Sequence, residues 1–167
     1  MSQHGQRDRV ISEETVEKMR GCMQDRGLYL ALLMRSFSKV FPKDQVAKAA
    51  REAIYEYGQF KGSKDKLQPT TAEDWVDGHV SRGMADVFES TIIKEGACCK
   101  QQMTKCPLLD AWKDLGCTPE EIDLYCDVAM ELDRSRADYH GLEWEIPLRM
   151  GKGDSDCCVV LKNKRKS

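Results

Sequence analysis

The sequence predicts an α+β fold, in which N-terminal helices precede an antiparallel sheet of about four strands with helices packed on one face. Two observations support this class. Apolar residues recur at helical spacing over residues 12–82. Over residues 84–162 the pattern changes to a hairpin, two helices and a second hairpin, and the last hairpin shows a strict alternation of apolar and polar residues.

The N-terminal half is predicted to contain two long helices followed by a short one. Ser12 is a good N-cap for the first helix, which Pro42 ends. Gly58 and Gly62 are expected to close the second helix, because glycine is the usual residue beyond a helix C-terminus. A polar, turn-rich loop then leads to the short third helix.

The first hairpin is predicted over residues 84–94 and 97–105, with a turn at Glu95-Gly96. Pro107 then begins a short helix, and Thr118 begins a long one. Thr118 is followed by proline at the first helical position and by glutamate three residues after the cap, which is a typical helix start.

The second hairpin contains the clearest strand in the chain. Apolar residues over 142–150 alternate with polar ones, which predicts a half-buried strand. Pro147 has no N–H group, so we expect this strand at a sheet edge or with a bulge at that point. A turn at residues 151–154 leads to the last strand, where Cys157 shares a face with two apolar residues.

Composition limits the classes of function. The 167 residues are 41% hydrophobic and 32% charged, which predicts one domain over residues 12–162, a flexible tail over 1–11 and a basic tail over 163–167. The net charge of −2 argues against a nucleic-acid binder. No apolar run approaches the roughly 20 residues that span a membrane, and no signal peptide is visible, so the sequence predicts a cytoplasmic protein. A homo-oligomer is compatible with this composition.

The cysteines are unevenly distributed along the chain. Seven of the eight lie after residue 97, and none belongs to a C-x-x-C motif. Without a secretion signal, reduced thiols are expected rather than a disulfide framework. Cys22 and Cys117 are interpreted as packing residues. No role is predicted for Cys98, Cys99 and Cys158.

Three cysteines and one aspartate have features of a reactive site. Cys126 and Asp133 are seven residues apart, which places them within about 20° of each other around the long helix. Cys106 precedes a proline at a helix N-terminus, where the helix dipole is expected to lower the pKa of the thiol. Cys157 is expected to face the core or a pocket.

Structural explanations compete with these functional ones. A free buried cysteine is commonly a small hydrophobic residue with no chemical role. Asp133 is alternatively the ion-pair partner of Arg134 or Arg136, near the end of its helix. His79 is expected to lie on the surface rather than to act as a ligand.

The candidate residues also form a recognisable series. A Cys, a short helix ending in Leu-Gly, a Cys and an Asp on the next helix, and a late Gly-Asp-x-x-Cys motif occur in order: Cys106, Leu115-Gly116, Cys126, Asp133, Gly153-Asp154 and Cys157. This series resembles the L-2-amino-thiazoline-4-carboxylic acid hydrolase-like family. The resemblance extends from about residue 12 to residue 162, and it includes the helical first half.

The resemblance implies a hydrolase that opens a small ring. Water adds to the amidine-like carbon of a 2-aminothiazoline, the C–S bond breaks, and N-carbamoyl-cysteine results. The implied catalytic residues are Cys106, Cys126, Asp133 and Cys157. Asp133 is the acid/base candidate among them. Arg149 and Asp154 are candidates for binding the small-molecule substrate, with Arg149 placed to hold its carboxylate.

Metal binding by the same thiols is an alternative. Cys106, Cys126 and Cys157 could hold a divalent metal that activates water, or a metal or iron–sulfur cluster in a non-enzymatic binding or sensing domain. The additional Cys158 and the Cys98-Cys99 pair favour this alternative. No cofactor other than a divalent metal is predicted for the hydrolase.

Overall fold

A computed structural model describes residues 8–164. Residues 1–7 and 165–167, which belong to the two predicted tails, lie outside the described residues. The described part forms six α-helices and a four-stranded antiparallel sheet, which confirms the predicted α+β class. The elements are α1 Glu13–Phe37, α2 Lys43–Ser63, α3 Ala72–Ser81, α4 Met84–Val87, β1 Ser90–Glu95, β2 Cys98–Met103, α5 Pro107–Asp114, α6 Pro119–Tyr139, β3 Leu142–Leu148, a 3-10 turn Met150–Lys152 and β4 Cys157–Asn163.

Helix starts are set by side-chain caps, as predicted for α1 and α6. The Ser12 side chain accepts a hydrogen bond from the Thr15 amide, and α1 then continues without a break to Phe37. At α6, Thr118 and Glu121 form a reciprocal capping box. These local hydrogen bonds satisfy amide groups that a helix start leaves without partners.

The prediction that Gly58 and Gly62 close the second helix is wrong. Both lie inside α2, and both face α6. A Cβ atom at residue 58 would lie 2.5 Å from the carbonyl oxygen of Leu132, and one at residue 62 would lie 2.7 Å from the ring of Tyr139. The two glycines therefore allow α2 and α6 to approach closely. Glycine is needed here for tertiary packing, not for ending the helix.

The first predicted strand also begins too early. Gly83 adopts a left-handed conformation with φ of 73°, and the four residues after it form the short helix α4. Asp86 in this helix is buried and accepts hydrogen bonds from the amides of Val10 and Ile11. Strand β1 starts only at Ser90. The buried contact of α4 with the N-terminal segment outweighs the weak strand pattern of these residues.

The sheet has the strand order β1-β2-β4-β3, and every neighbouring pair is antiparallel. Strand β3 is an edge strand, and its pairing with β4 is irregular between Glu145 and Leu148. The prediction made from Pro147 is thus confirmed. The last strand buries Cys157, Val159 and Leu161 on one face, as the alternation predicted.

Helix α6 connects the parts of the molecule that concern function. Its first half belongs to a core cluster with α1, α2 and α5, through Ile122, Tyr125, Cys126 and Val128. Its last turns reach a second cluster with α3 and the sheet, through Ala137. Within the described part of the chain, no helix is long and apolar enough to cross a bilayer.

Candidate functional site

Three of the predicted cysteines lie near one another at the first half of α6. Cys126 lies on α6, Cys157 is the first residue of β4, and Cys106 is the N-cap of α5. Negative charge on Cys126 or Cys157 would raise the pKa of Cys106, so the three sulfur atoms act on one another electrostatically. We call Cys106, Cys126 and Cys157 the thiol cluster.

The turn between β3 and β4 covers two of these thiols. The Met150 amide donates a hydrogen bond to Cys157 Sγ over 3.3 Å. The Gly151 amide and the Arg149 side chain lie close enough to Cys126 to favour its thiolate. Each of these donors favours the thiolate form of the sulfur that it contacts.

The prediction that the helix N-terminus lowers the pKa of Cys106 is wrong. Burial raises the pKa of Cys106 to about 12, although the neighbouring amides of Leu109 and Leu108 favour the thiolate. Burial likewise raises the pKa of Cys126 to about 11, against the opposing effect of Arg149. Desolvation of the charged form outweighs the donors at both sites, so both thiols are protonated at neutral pH.

Packing around Cys126 is tight. A Cβ atom on Gly151 would lie 2.4 Å from the Cys126 Cβ atom and 2.6 Å from its sulfur. Cys126 is 6% exposed and Cys157 is 7% exposed. In this conformation the thiol cluster has several hydrogen-bond donors and little free space.

Arg149 and Asp154 lie in the turn that covers the thiols. The Arg149 guanidinium contacts the Asp123 carboxylate, donates to the Asp123 carbonyl over 3.2 Å, and lies 3.5 Å from the Asp127 carboxylate. The Asp154 carboxylate accepts a hydrogen bond of 2.8 Å from the Arg149 amide. Asp154 therefore holds the turn closed, and Arg149 joins this turn to α6.

Asp133 lies two turns further along α6, among different charges. Burial raises its pKa, and the charges that oppose this are those of Arg136, Arg26, Arg82 and Lys61. The cation that favours the thiolates of Cys126 and Cys157 is a different one, Arg149. The helical rise separates Asp133 from Cys126 by about 10 Å along the axis.

A pocket of about 580 Å³ opens beside the last turns of α6. It lies between the end of α2, the loop after it, α3 and α6. Its positively charged lining residues are Lys61, Lys64, Lys66, Arg82 and Arg136. We call this space the basic pocket. Sequence reasoning missed it, because its lysines were interpreted as part of a solvated loop.

One wall of the basic pocket is an ion-pair network around Asp65. Arg136 donates two hydrogen bonds to Asp65, and His140 Nε2 lies 2.9 Å from the same carboxylate. Although burial raises the pKa of Asp65, the hydrogen bonds from Arg136 and His140 lower it below its usual value. The Arg136 guanidinium also stacks over Trp75, 4.6 Å from the ring centroid.

His79 lies beside this wall, contrary to the prediction of a surface position. Its Nδ1 atom is buried and has no hydrogen-bond partner within residues 8–164. Burial lowers the pKa of His79 to about 3, and the nearby charges of Arg82 and Arg136 add to this effect. The imidazole is therefore neutral at ordinary pH.

The remaining cysteines divide between the core and the surface. Cys99 is fully buried in the second core cluster, and Cys117 packs against the first. Cys98 and Cys158 are half-buried. Cys22 is exposed, so its interpretation as a packing residue is wrong. No group of three or more Cys, His, Asp or Glu side chains in the described part of the chain is arranged to hold a metal ion.

Comparison with protein families identifies the chain. Residues 23–160 match the family model of L-2-amino-thiazoline-4-carboxylic acid hydrolase. A search of curated proteins found no match. The matched residues include α2 to α6, all four strands in large part, and the complete thiol cluster. The chain therefore belongs to the L-2-amino-thiazoline-4-carboxylic acid hydrolase family.

Proposed function

We propose that this protein is a hydrolase that opens a small ring containing an amidine-like carbon bonded to nitrogen and sulfur, such as 2-aminothiazoline-4-carboxylate. Family membership supports the reaction class. The observation that carries the assignment of the site is the meeting of three thiols beneath a turn whose amides and arginine point at sulfur. Fold and family leave the substrate open, so it belongs to the proposal.

Cys126 is the proposed nucleophile. The positive charge of Arg149 favours its thiolate, and the Gly151 amide adds to this effect. Cys106 has only amide donors among the groups that favour its thiolate. Because burial keeps Cys126 protonated, the thiolate has to form when a basic substrate arrives and accepts the proton.

The first step forms a bond between Cys126 Sγ and the ring carbon and breaks the bond from that carbon to the ring sulfur. The thiol proton passes through the ring nitrogen to the departing sulfur, and an isothiourea on Cys126 remains. In the second step water attacks the same carbon and the bond to Sγ breaks. One water proton returns to Sγ, the other stays on nitrogen, and an N-carbamoyl thiol is released.

The other predicted residues take supporting roles in this proposal. Cys106 and Cys157 are neutral thiols beside the nucleophile, placed to donate hydrogen bonds to the reacting sulfur atoms. Asp154 positions the turn through the Arg149 amide. Asp133 is the acid/base candidate with the least support, because three of the four cations that act on it, Arg136, Arg82 and Lys61, line the basic pocket.

Access of a substrate to Cys126 requires movement of the turn. Gly151 lies directly against Cys126, so the ring carbon reaches Sγ only after residues 149–154 shift outward. The ion contacts of Arg149 with Asp123 and Asp127 hold the turn in its closed position. Opening and closing of such a segment is a common way to admit a substrate and exclude water.

The test is the conversion of 2-aminothiazoline-4-carboxylate to N-carbamoyl-cysteine by the purified chain, followed by chromatography. We expect activity in the wild type and a loss of about a thousandfold or more in Cys126→Ala. The control is Cys22→Ala, which removes an exposed cysteine and is expected to keep wild-type activity. An adduct on Cys126 with the mass of the intact substrate would identify the isothiourea.

Two results would contradict the proposal. Full activity in Cys126→Ala would remove Cys126 from the chemistry. Activity that is lost with a chelator and restored by a divalent metal would favour metal-activated water instead.

A further inference from the structure

The basic pocket is separate from the thiol cluster, and no step of the proposed hydrolysis uses it. Arg136, which lines the pocket, follows Cys126 by ten residues on α6. This spacing corresponds to a rise of about 15 Å along the helix. With a volume of about 580 Å³, the pocket is in the size range of sites for small organic molecules.

Positive charge dominates the pocket lining. Five cationic side chains line it together with two carboxylates, Asp65 and Asp74. Both carboxylates are already engaged. Asp65 binds Arg136 and His140, and Asp74 accepts hydrogen bonds from the amides of Thr70 and Thr71.

The lysines of the pocket contact rings rather than acids. Lys61 Nζ lies 5.7 Å from the centroid of the Tyr57 ring, and Lys64 Nζ lies 5.8 Å from that of Phe60. In the part of the chain that the structure describes, no carboxylate lies within ion-pair distance of Lys61 or Lys64. Their charges are consequently available to a ligand.

Arg82 has only a long ion-pair contact in the pocket. Its Nε atom donates to the Gly78 carbonyl over 2.9 Å, and its nearest carboxylate contact is 3.8 Å from Asp65. Burial and the neighbouring Arg136 lower the pKa of Arg82. A planar guanidinium in this position matches the geometry of a carboxylate or phosphate group.

His79, which packs near Trp75 on the pocket wall, has an unusual environment. Its buried Nδ1 atom has no partner within residues 8–164, although buried polar atoms are almost always hydrogen-bonded. The His79 ring lies 6.4 Å from the ring of Trp75, which lines the pocket.

We propose that the basic pocket binds a small organic anion, with its carboxylate or phosphate group on Arg82 and the adjacent lysines. The apolar part of the anion packs against the aromatic and aliphatic lining, which includes Tyr57, Phe60 and Leu67. This site is independent of the thiol chemistry. Carboxylate and phosphate share the recognition by guanidinium and ammonium groups, and the experiment separates them.

The test is isothermal titration of the full chain with three probes: benzoate, phenyl phosphate and the neutral benzamide. We expect at least one of the two anions to bind, and benzamide not to bind. Tighter binding of benzoate indicates a carboxylate ligand, and tighter binding of phenyl phosphate indicates a phosphate ligand. Binding weakens as salt is added, because the contacts are ionic.

Two variants examine the residues that carry the proposal. Arg82→Gln is expected to weaken anion binding roughly tenfold or more, since it removes a charged donor. Lys64→Gln, on an exposed side chain at the end of α2, is expected to weaken binding about threefold and leaves the fold intact even if Arg82→Gln does not. The matched control is Lys48→Gln on the same helix, 79% exposed and outside the pocket, which keeps wild-type affinity.

Three results would overturn the proposal. One is the absence of binding by either anion at millimolar concentration. Another is equal affinity for benzamide and benzoate, which would show that charge is not recognised. The third is equal weakening by Lys64→Gln and Lys48→Gln, which would indicate nonspecific attraction to surface charge.

Discussion

The thiol cluster and the basic pocket lie along the same helix, α6, and they are opposites in packing. The thiol cluster is closed, because Gly151 leaves no room beside Cys126. The basic pocket is open, with about 580 Å³ of space. In this conformation the nucleophilic sulfur atoms lie at the thiol cluster, whereas the free volume lies at the basic pocket. The proposed reaction at Cys126 therefore depends on movement of residues 149–154, whereas the proposed anion binding at the basic pocket does not.

The two regions also differ in electrostatics. At the thiol cluster burial is the largest effect, and it raises the pKa of Cys106 and Cys126. At the basic pocket hydrogen bonds from Arg136 and His140 overcome burial and lower the pKa of Asp65. The thiols of Cys106 and Cys126 are thus neutral. Asp65 in the pocket wall is an anion, and it is surrounded by an excess of cations.

The largest expected effect concerns thiol reactivity. With the pKa of Cys106 raised from 9.0 to about 12, its thiolate fraction at neutral pH falls about a thousandfold relative to the unfolded chain. We expect iodoacetamide to label Cys106 at least that much more slowly in the native protein, as measured by mass spectrometry. Rapid native labelling of Cys106 at neutral pH would show that the cluster is open in solution.

The same shifts predict how stability depends on pH. An acid whose pKa is higher in the folded state binds its proton more tightly there, so it contributes stability below the unfolded pKa. For Cys126 this contribution is lost as the pH rises from 9.0 to about 11. Chemical denaturation across this range should show a decrease, which Cys126→Ala reduces.

The next effect concerns the charge of Arg149 beside Cys126, as distinct from the ion pairs of Asp127. Arg149→Gln removes the guanidinium whose charge favours the Cys126 thiolate. An interaction with a charged donor is worth about 1.5–3 kcal/mol, so kcat/KM is expected to fall roughly 10- to 150-fold. The control is Arg51→Gln, because Arg51 on α2 donates hydrogen bonds to the same Asp127 carboxylate. Equal losses of kcat/KM in the two variants would show that the ion pairs of Asp127, rather than the charge beside the Cys126 thiolate, determine the activity.

A pair of glycine substitutions measures the packing difference directly. Gly151→Ala places a methyl group against Cys126 and is expected to destabilise the fold by about 1–3 kcal/mol. Gly78→Ala, on the pocket wall, meets only the flexible Leu67 side chain at 3.2 Å, and alanine favours the helix. We expect Gly78→Ala to change the free energy of unfolding by less than about 1 kcal/mol. Similar values for both variants in urea denaturation would mean that the turn at Gly151 yields easily.

The smallest expected effect tests whether Asp133 acts at the thiol cluster or at the basic pocket. Its cationic neighbours favour the basic pocket, so Asp133→Asn should lower kcat/KM less than tenfold and tighten phenyl phosphate binding a few-fold. A loss of about a hundredfold in kcat/KM would instead support the acid/base role predicted from the sequence. Because burial raises the pKa of Asp133, wild-type stability should also rise as the pH falls through that raised pKa to the unfolded value of 3.8, and the variant should lack this rise.

Local signals in the sequence were sufficient for much of the fold. The caps at Ser12 and Thr118, and the edge position implied by Pro147, follow from hydrogen bonds that a few neighbouring residues make or lack. Gly58 and Gly62 could not be interpreted in this way. Their role depends on a contact with α6 more than seventy residues away in the chain, which no local pattern contains.

The candidate site shows the same division. The order of its cysteines and the late Gly-Asp-x-x-Cys motif are visible in the sequence, and they indicated the family that the comparison then showed. The predicted direction of the Cys106 pKa shift was wrong. A helix N-terminus is a local feature that the sequence shows, whereas burial depends on the tertiary structure. The basic pocket was missed because Arg82, which follows α3, and Arg136, on α6, are more than fifty residues apart in the chain.

By itself, then, the sequence determined the class of fold, the family and the set of thiols, since these depend on periodicity and on short motifs. Tertiary structure alone decided which groups are charged, which are covered and where space remains. Desolvation and free volume are properties of packed atoms from distant segments. For this reason Cys126 is a closed, neutral thiol and the cations near Arg82 surround an open pocket, although both regions share one helix.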